Sequence, residues 1–528
     1  MKRRTFLGTA AGAVTALAAP SILAAEKSRV LNFVPQADLA ILDPVWTSAT
    51  ITRQHGYLVY DTLYGQDAEY RTQPQMVQGH TTEQDGKLWR LTLRDGLRFH
   101  DNEPVRAQDV VPSLQRWGRR DAFGSALLAQ VDEISAESDR VVAIRLKKPF
   151  PLLPDALGKS GVNMPCIMPE RIARTDAMTK ITDATGSGPY RFVAGEWMPG
   201  SHAVYQKFDS YVPRADGTPS FTAGPKHAHF DRVVWKIIPD AATVAAALQA
   251  GEVDWWERPS ADTLPLLRRS RGVSVQVLDP TGALQFLRFN WLYPPFDNPT
   301  IRRAVIGAVN QTDFMNAAAG TDSSMWNDHC GAFCPGTPFA TEVGMEVLTG
   351  PRDIDRVKRD LATAGYKGER VVFLGVSDVQ EIQAVTEVAA DMFRRIGLNL
   401  DYQVADWGTV VQRRTSKAPP DKGGWNVHHS GFGGLDMASP ASNLVLRGNG
   451  KDAWFGWPDD PKLEELRAAW FNAPDFAAQK RICDALQLQV FQDVPYIPLG
   501  LIKRATAYRS DLIDMVKGGI MFTNVRRA

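Results

Sequence analysis

The sequence predicts a mixed α/β class with more than one domain, and three observations carry that expectation. Segments with two-residue alternation and segments with helical apolar spacing are interleaved along the whole chain. At 528 residues and 44% hydrophobic composition, the chain is too long for a single core, so two or three domains are expected. No fixed-period repeat and no low-complexity segment points to a solenoid or a long linker.

Taken in order, residues 1–25 read as an export signal. Basic Lys2-Arg3-Arg4 leads into a mild apolar run and then small residues, the layout of a segment removed after export. Arg3-Arg4 followed by Phe6-Leu7 resembles the twin-arginine type. The alternative is a retained anchor, because Phe6–Leu23 is just long enough to be considered as a span. Its Ala, Gly and Thr content favours removal, and no cysteine follows for a lipid anchor. Ala16-Leu17-Ala18 fits a small-x-small cleavage rule better than Leu23-Ala24-Ala25.

Trp89-Arg90-Leu91-Thr92-Leu93-Arg94 alternates apolar and polar residues, and Asp95-Gly96 then precedes Leu97-Arg98-Phe99, which reads as a tight hairpin. Val142, Ile144 and Leu146 alternate with polar residues as another half-buried strand. Ala241–Ala250 is an alanine-rich helix that Gly251 stops. A longer helix spans about Gln380 to Ile396 and ends at Gly397, with strand-like Leu398–Tyr402 after it. Asp460-Pro461 is a cap followed by proline at the first helical position, placing Leu463, Leu466 and Trp470 on one face. Asp475 caps the next helix, whose buried stripe is Ile482, Leu486 and Val490.

Composition narrows the function. The formal net charge is +1, and it becomes −2 when Lys2, Arg3 and Arg4 leave with the signal. A near-neutral chain with no basic block argues against a nucleic-acid partner. Four cysteines are too few for a disulfide scaffold. Cys330 and Cys334, in a turn-rich stretch, are a candidate local disulfide; free thiols and a metal site with His329 are the alternatives. Catalytic motifs fail one by one: Gly-x-Ser-x-Gly, His-Glu-x-x-His and paired Cys-x-x-Cys are all missing. Gly158-Lys159-Ser160 lacks the earlier glycine of a phosphate loop, and His227 and His229 read as a solvated loop pair rather than a metal site.

Several separated blocks together resemble the family 5 solute-binding proteins of ABC importers, the dipeptide, oligopeptide and nickel group. They are Leu42-Asp43-Pro44, Pro74-Gln75-Met76-Val77, the run Trp89–Asp101 with Ala107-Gln108-Asp109-Val110, and Gly186-Ser187-Gly188-Pro189-Tyr190. Ala250–Asp254, Asn290 with Pro294–Asn298 and Ile301–Val305, and Asp493-Val494-Pro495-Tyr496-Ile497-Pro498-Leu499 complete the series, in family order. Asn102 departs from the pattern where the family often has Gly, and Pro112 sits early in a helix.

The resemblance implies a two-lobed periplasmic-binding-protein fold, type II-like, with an extra subdomain on the first lobe. Residues 26–57, 194–285 and 500–528 would form lobe I, 58–193 the appended subdomain, and 286–499 lobe II. It implies a periplasmic, monomeric protein that is no enzyme, holds no cofactor or metal, and hands a peptide or similar amine-bearing solute to permease subunits in the inner membrane. The alternatives are a non-peptide solute on the same scaffold (opine, sugar, nickel complex or haem) and, further off, an exported enzyme. Asp436, four residues before Pro440, matches the family aspartate that binds the substrate amine. Trp407 and Arg414 match a tryptophan wall and an arginine offered to the cleft, and Thr47, Ser48 and Ala49 match an extended segment that contacts ligand backbone. Phe432, Gly434 and Trp425 join them as ligand-binding candidates, with Trp454 and Trp457 as further walls.

Overall fold

The computed structural model describes residues 29–528, so the expected export signal at 1–25 lies outside the described residues. Two large sheets organise the chain. The first has seven strands in the spatial order Val273–Gln276, Thr506–Arg509, Trp255–Trp256, Val30–Val34, Arg232–Lys236, His202–Lys207 and Tyr190–Phe192. The second has six, in the order Trp326–Asn327, Tyr496–Ile502, Ala283–Phe289, Val427–Gly433, Arg370–Val376 and Asn399–Ala405. These sheets are the cores of two α/β lobes. The chain passes from the first to the second between Gln276 and Ala283, and returns between Ile502 and Thr506.

The two crossings lie against each other. A Cβ on Gly282, whose φ is +48°, would sit 2.2 Å from the Ile502 carbonyl oxygen. Only glycine fits both the left-handed backbone and that approach. Among the described residues no helix is long and apolar enough to cross a membrane.

A four-stranded antiparallel sheet, ordered Val77–Glu83, Leu88–Leu93, Val141–Leu146 and Val131–Ala136, stands beside the first lobe with the helices Ala107–Gly118 and Ala122–Gln130, and shares its hydrophobic cluster with that lobe. Here the expected hairpin is corrected. Leu88–Leu93 is a strand, but it pairs with Val77–Glu83 and Val141–Leu146. Leu97–Phe99 instead exchanges main-chain hydrogen bonds with Glu103 and Val105. Alternation marked the strand correctly; the choice of partner depends on long-range packing that a local turn signal does not report. Asn102 adopts φ +68°, a conformation asparagine tolerates, so the departure from glycine there preserves the turn. Pro112 sits inside the helix Ala107–Gly118.

The other expected elements form where their caps put them. Asp240 accepts from the Thr243 amide and Gly251 ends the helix Ala241–Ala250 in the left-handed conformation. Asp460 and Asp475 accept from Leu463 and Ala478 to start Pro461–Phe471 and Phe476–Asp493. Gln380–Arg395 is a helix and Asn399–Ala405 the strand after it. The first lobe's core is aromatic: Phe33 packs on Trp255 at 5.3 Å and on Phe522 at 4.8 Å, which ties the C-terminal segment into the first sheet.

Candidate functional site

A cavity of about 260 Å³ lies between the lobes and touches both crossings. Its first-lobe wall starts with the helix Thr50–Val59. Thr50, Arg53, Gln54 and Tyr57 line the cavity, and their spacing of three, four and seven residues is one helical face. Ile51, Leu58 and Val59 on the other side pack into the core. Glu257 and Arg258 come next, immediately beyond the strand Trp255–Trp256, which runs parallel to Val30–Val34. Ligands of open α/β sheets gather at this carboxyl edge. Phe221 and the segment Gly518–Met521 close the same side.

The second-lobe wall is built on paired strands. Gln285 faces Gly431 across the ladder, and a Cβ at Gly431 would meet the Gln285 Oε1 at 2.8 Å. With glycine there, Gln285 Oε1 lies 2.9 Å from His429 Nε2. That contact makes Nε2 the protonated nitrogen of a neutral imidazole. Burial, then the charge of Arg414, pushes His429 down to about 3. Trp407 opens the helix Trp407–Arg413, held by its own amide on Asp378 at 2.8 Å and by the Asp406 cap on Thr409. Phe432, Glu381 and Ile382 complete the wall.

Charges in the cavity divide into committed and uncommitted groups. Glu257 accepts from Gln54 Nε2 and from the Gln36 amide, both at 2.7 Å. Glu381 is paired with Arg504 at 2.8 Å. Asp279 accepts from the Thr281 amide at 2.9 Å and hydroxyl at 2.5 Å, and its desolvation holds its pKa above the usual carboxylate range. Neither Arg53 nor Arg258 has a hydrogen-bond or carboxylate partner for its side chain among the described residues. Arg258 is pushed down to about 10 by burial first and by the like charge of Arg504 next.

Of the residues expected from the sequence, Trp407 and Phe432 line this cavity. The others stand elsewhere. Thr47, Ser48 and Ala49 stop just short of the lining, which begins at Thr50; Ala49 is the residue that precedes the helix. Arg414 lies behind the wall: its guanidinium packs over Trp407, Trp454 and Phe455 at 5.3 to 5.5 Å and donates to Ser430 Oγ at 3.2 Å. Burial pushes it down to about 10. Trp425 is a core residue, fully buried against His428 and Trp457, so it is no pocket wall. Trp457 is 5% exposed in the same cluster.

Gly434 serves packing. Its amide donates to Gly282 O at 2.9 Å, and a Cβ would lie 2.2 Å from the Thr281 carbonyl oxygen and 2.6 Å from Cys334 Sγ. Asp436, in the turn Gly434–Met437, reaches the appended body: its Oδ1 accepts from the Val162 amide at 3.1 Å. A Cβ at Gly161 would come within 2.6 Å of that oxygen. Oδ2 accepts no hydrogen bond from a described residue. Ser160 links this region to the cavity, since Tyr57 donates to its carbonyl at 3.1 Å.

The expected disulfide is corrected. Cys330 and Cys334 are both free and buried, and each thiol has its own acceptor, Asn327 O at 3.3 Å and Thr281 O at 3.5 Å. No group of three metal-ligating side chains occurs among the described residues. His227 and His229 are exposed on the loop before Arg232–Lys236, with ring centroids 6.1 Å apart. Sequence reasoning missed Arg53, Gln54, Glu257, Arg258, Gln285, Glu381, His429 and Arg504. The usable signal was the charged pair Glu257-Arg258 directly after a buried Trp-Trp strand.

Comparison with known proteins agrees with this architecture. The family model of the bacterial extracellular solute-binding proteins, family 5 Middle, matches residues 71–452. A probable peptide ABC transporter periplasmic-binding protein of Sinorhizobium fredii is 32% identical over 541 residues, covering 99% of this chain and 98% of the relative. A glutathione-binding protein of Escherichia coli K12 is 23% identical, covering 95% and 94%. Among solved structures, a periplasmic binding protein from A. tumefaciens R10 in complex with agropinic acid superposes with a TM-score of 0.78 at 20% identity, covering 94% of this chain and 99% of that one. The dipeptide-binding protein of Pseudoalteromonas sp. SM9913 in complex with Met-Leu gives 0.75 at 18% identity, covering 94% and 100%.

Proposed function

The chain belongs to the family 5 bacterial extracellular solute-binding proteins, and from that premise we propose that it captures a peptide or similar amine-bearing solute for an ABC importer. The observation that carries this reading is the cavity walled by both lobes and bounded by both crossings. Such a site works by differential binding: the solute favours the closed form because only there does it touch both walls. The likeness to the probable peptide ABC transporter periplasmic-binding protein of Sinorhizobium fredii supports a peptide, and the Arg3-Arg4 motif supports export to the periplasm by the twin-arginine route. In this reading the protein acts as a monomer, with lobe II running between the crossings at about 283–502 rather than 286–499, and with Tyr190–Phe192 belonging to the sheet of lobe I rather than to the appended subdomain expected at 58–193.

Trp407 and Phe432 supply apolar walls, and Asp436, outside the lining of this cavity, keeps Oδ2 for the amine of a solute that extends past Ser160 while Oδ1 stays on Val162. Native purification followed by mass spectrometry of released solute tests the reading; an empty protein that no peptide, amine or opine stabilises would end it. A solute at 100 times its dissociation constant should add about 2.7 kcal/mol to stability. Asp436→Ala should remove about 2–5 kcal/mol of peptide affinity if the amine pair is desolvated on closure. Equal stabilisation of wild type and variant by the same peptide would remove Asp436 from the site.

A further inference from the structure

The charged side chains of the cavity that make no side-chain hydrogen bond among the described residues are both arginines, and both stand on the first-lobe wall. Arg53 projects from the cavity face of the helix Thr50–Val59, and Arg258 from the carboxyl edge of the first sheet. Arg504 stands close enough to be the second cause of the depressed Arg258 basicity, with Arg53 also contributing. Three guanidinium groups therefore crowd one region. The carboxylates that line it are already engaged: Glu257 by Gln54 and the Gln36 amide, Glu381 by Arg504, Asp279 by Thr281. His429 on the opposite wall is neutral, and Gln285, Trp407 and Phe432 beside it carry no charge. Glu257 and Glu381 act on Arg258 from a distance without pairing with it, and an arginine held half-buried with no carboxylate in contact costs stability unless something that binds there supplies one.

We propose that Arg53 and Arg258 form the receptor for a carboxylate of the transported solute, so that lobe I reads the acidic end of a zwitterionic or dicarboxylic molecule. This rests on the cavity being the solute site. The planar, forked guanidinium suits bidentate contact with a carboxylate, and two of them can hold both oxygens. It also moves the carboxylate contact away from Arg414, which is spent on Ser430 and three aromatic rings. Arg504 stays with Glu381 and sharpens the field at the receptor.

The test has two arms on the purified protein, freed of bound solute by a denaturant wash and refolding. In the first, melting temperatures without added solute are compared for wild type, Arg53→Gln and Arg258→Gln at low salt. Removing a crowded, unpaired guanidinium should raise the melting temperature of Arg258→Gln and leave Arg53→Gln no lower than wild type. Both variants melting lower would assign these arginines a structural role and overturn the proposal.

In the second arm, calorimetry compares Met-Leu with its C-terminal amide, alongside glutathione, agropinic acid and inorganic phosphate. Wild type should bind the free acid at least about thirtyfold more tightly than the amide, and either variant should lose most of that preference. A probe bound equally by wild type and both variants would overturn the carboxylate receptor and leave the cavity standing as the solute site. Phosphate bound while every carboxylate is refused would overturn it too. If no probe binds wild type, the melting comparison decides the receptor, and the native mass spectrum judges the solute site separately.

Discussion

The two walls of the cavity are made of different chemistry. Lobe I presents Arg53, Glu257 and Arg258, with the polar face of one helix between them. Lobe II presents Trp407 and Phe432, with a neutral His429–Gln285 pair behind them. Lobe II adds Glu381, which is tied to Arg504, so that unpaired arginine on one wall and aromatic surface on the other give a bound solute a direction. The charged end is fixed by lobe I, and lobe II closes over the remainder by shape. The walls are also anchored differently. Ahead of the helix that carries Arg53, Asp43 is fully buried and pairs with Arg116 at 2.7 Å, while accepting from the amides of Val45, Trp46 and Ile181. Behind the aromatic wall, Arg288 is equally buried and has no carboxylate; it donates to the carbonyls of Phe455, Val445, Pro495 and Trp454.

Breaking these anchors should separate the walls most clearly. Asp43→Ala strands the Arg116 charge in the interior and should cost about 3–5 kcal/mol of stability in denaturant unfolding. The charged wall should loosen with it, so the protein should also lose affinity for acidic solutes. A loss below about 1 kcal/mol would show that the buried pair does not anchor this wall. Arg288→Met is the matching experiment on lobe II. It leaves carbonyls without donors but no charge behind, so the expected cost is smaller, about 1–3 kcal/mol. If Arg288→Met proved the more damaging, the distinction between an ion-pair anchor and a carbonyl anchor would collapse.

The same division explains what the sequence made legible. Helix starts were readable where a short polar side chain caps them, as Asp240, Asp460 and Asp475 do, because capping is local chemistry. The hairpin at Asp95-Gly96 misled because strand pairing is not local. On lobe II, Trp407 and Phe432 sit in recognisable stretches, and both reach the cavity. On lobe I the candidates were Thr47, Ser48 and Ala49, yet the side chains that face the cavity come from the next two turns of helix. Arg53 and Gln54 look like an ordinary polar face until the helix is docked. Arg414 and Trp425 stand outside the cavity lining for the converse reason: their types suit a pocket, and packing places them behind its wall.

The expected effect that is smallest near neutral pH concerns acid. Each wall is backed by a buried neutral histidine: His55, with Nδ1 3.0 Å from the Tyr205 hydroxyl, behind lobe I, and His429 behind lobe II. Burial is the first cause in both, and each is pushed down to about 3 from an ordinary value of 6.5. The unfolded chain therefore binds protons between pH 6.5 and 3 that the folded chain does not, and stability falls as pH falls through that window. Above pH 6.5 the two groups contribute no slope, and below about 3 the slope ends. Each should add about 1.4 kcal/mol per pH unit to the acid limb, so His55→Gln or His429→Gln should flatten urea-derived stability against pH by about one proton each. Arg414 contributes to the depression at His429 and is absent from the causes at His55. Arg414→Gln should therefore narrow the His429 share of the window and leave that of His55 unchanged. Equal changes at both histidines would mean that the two walls are coupled through the crossings and titrate as one body.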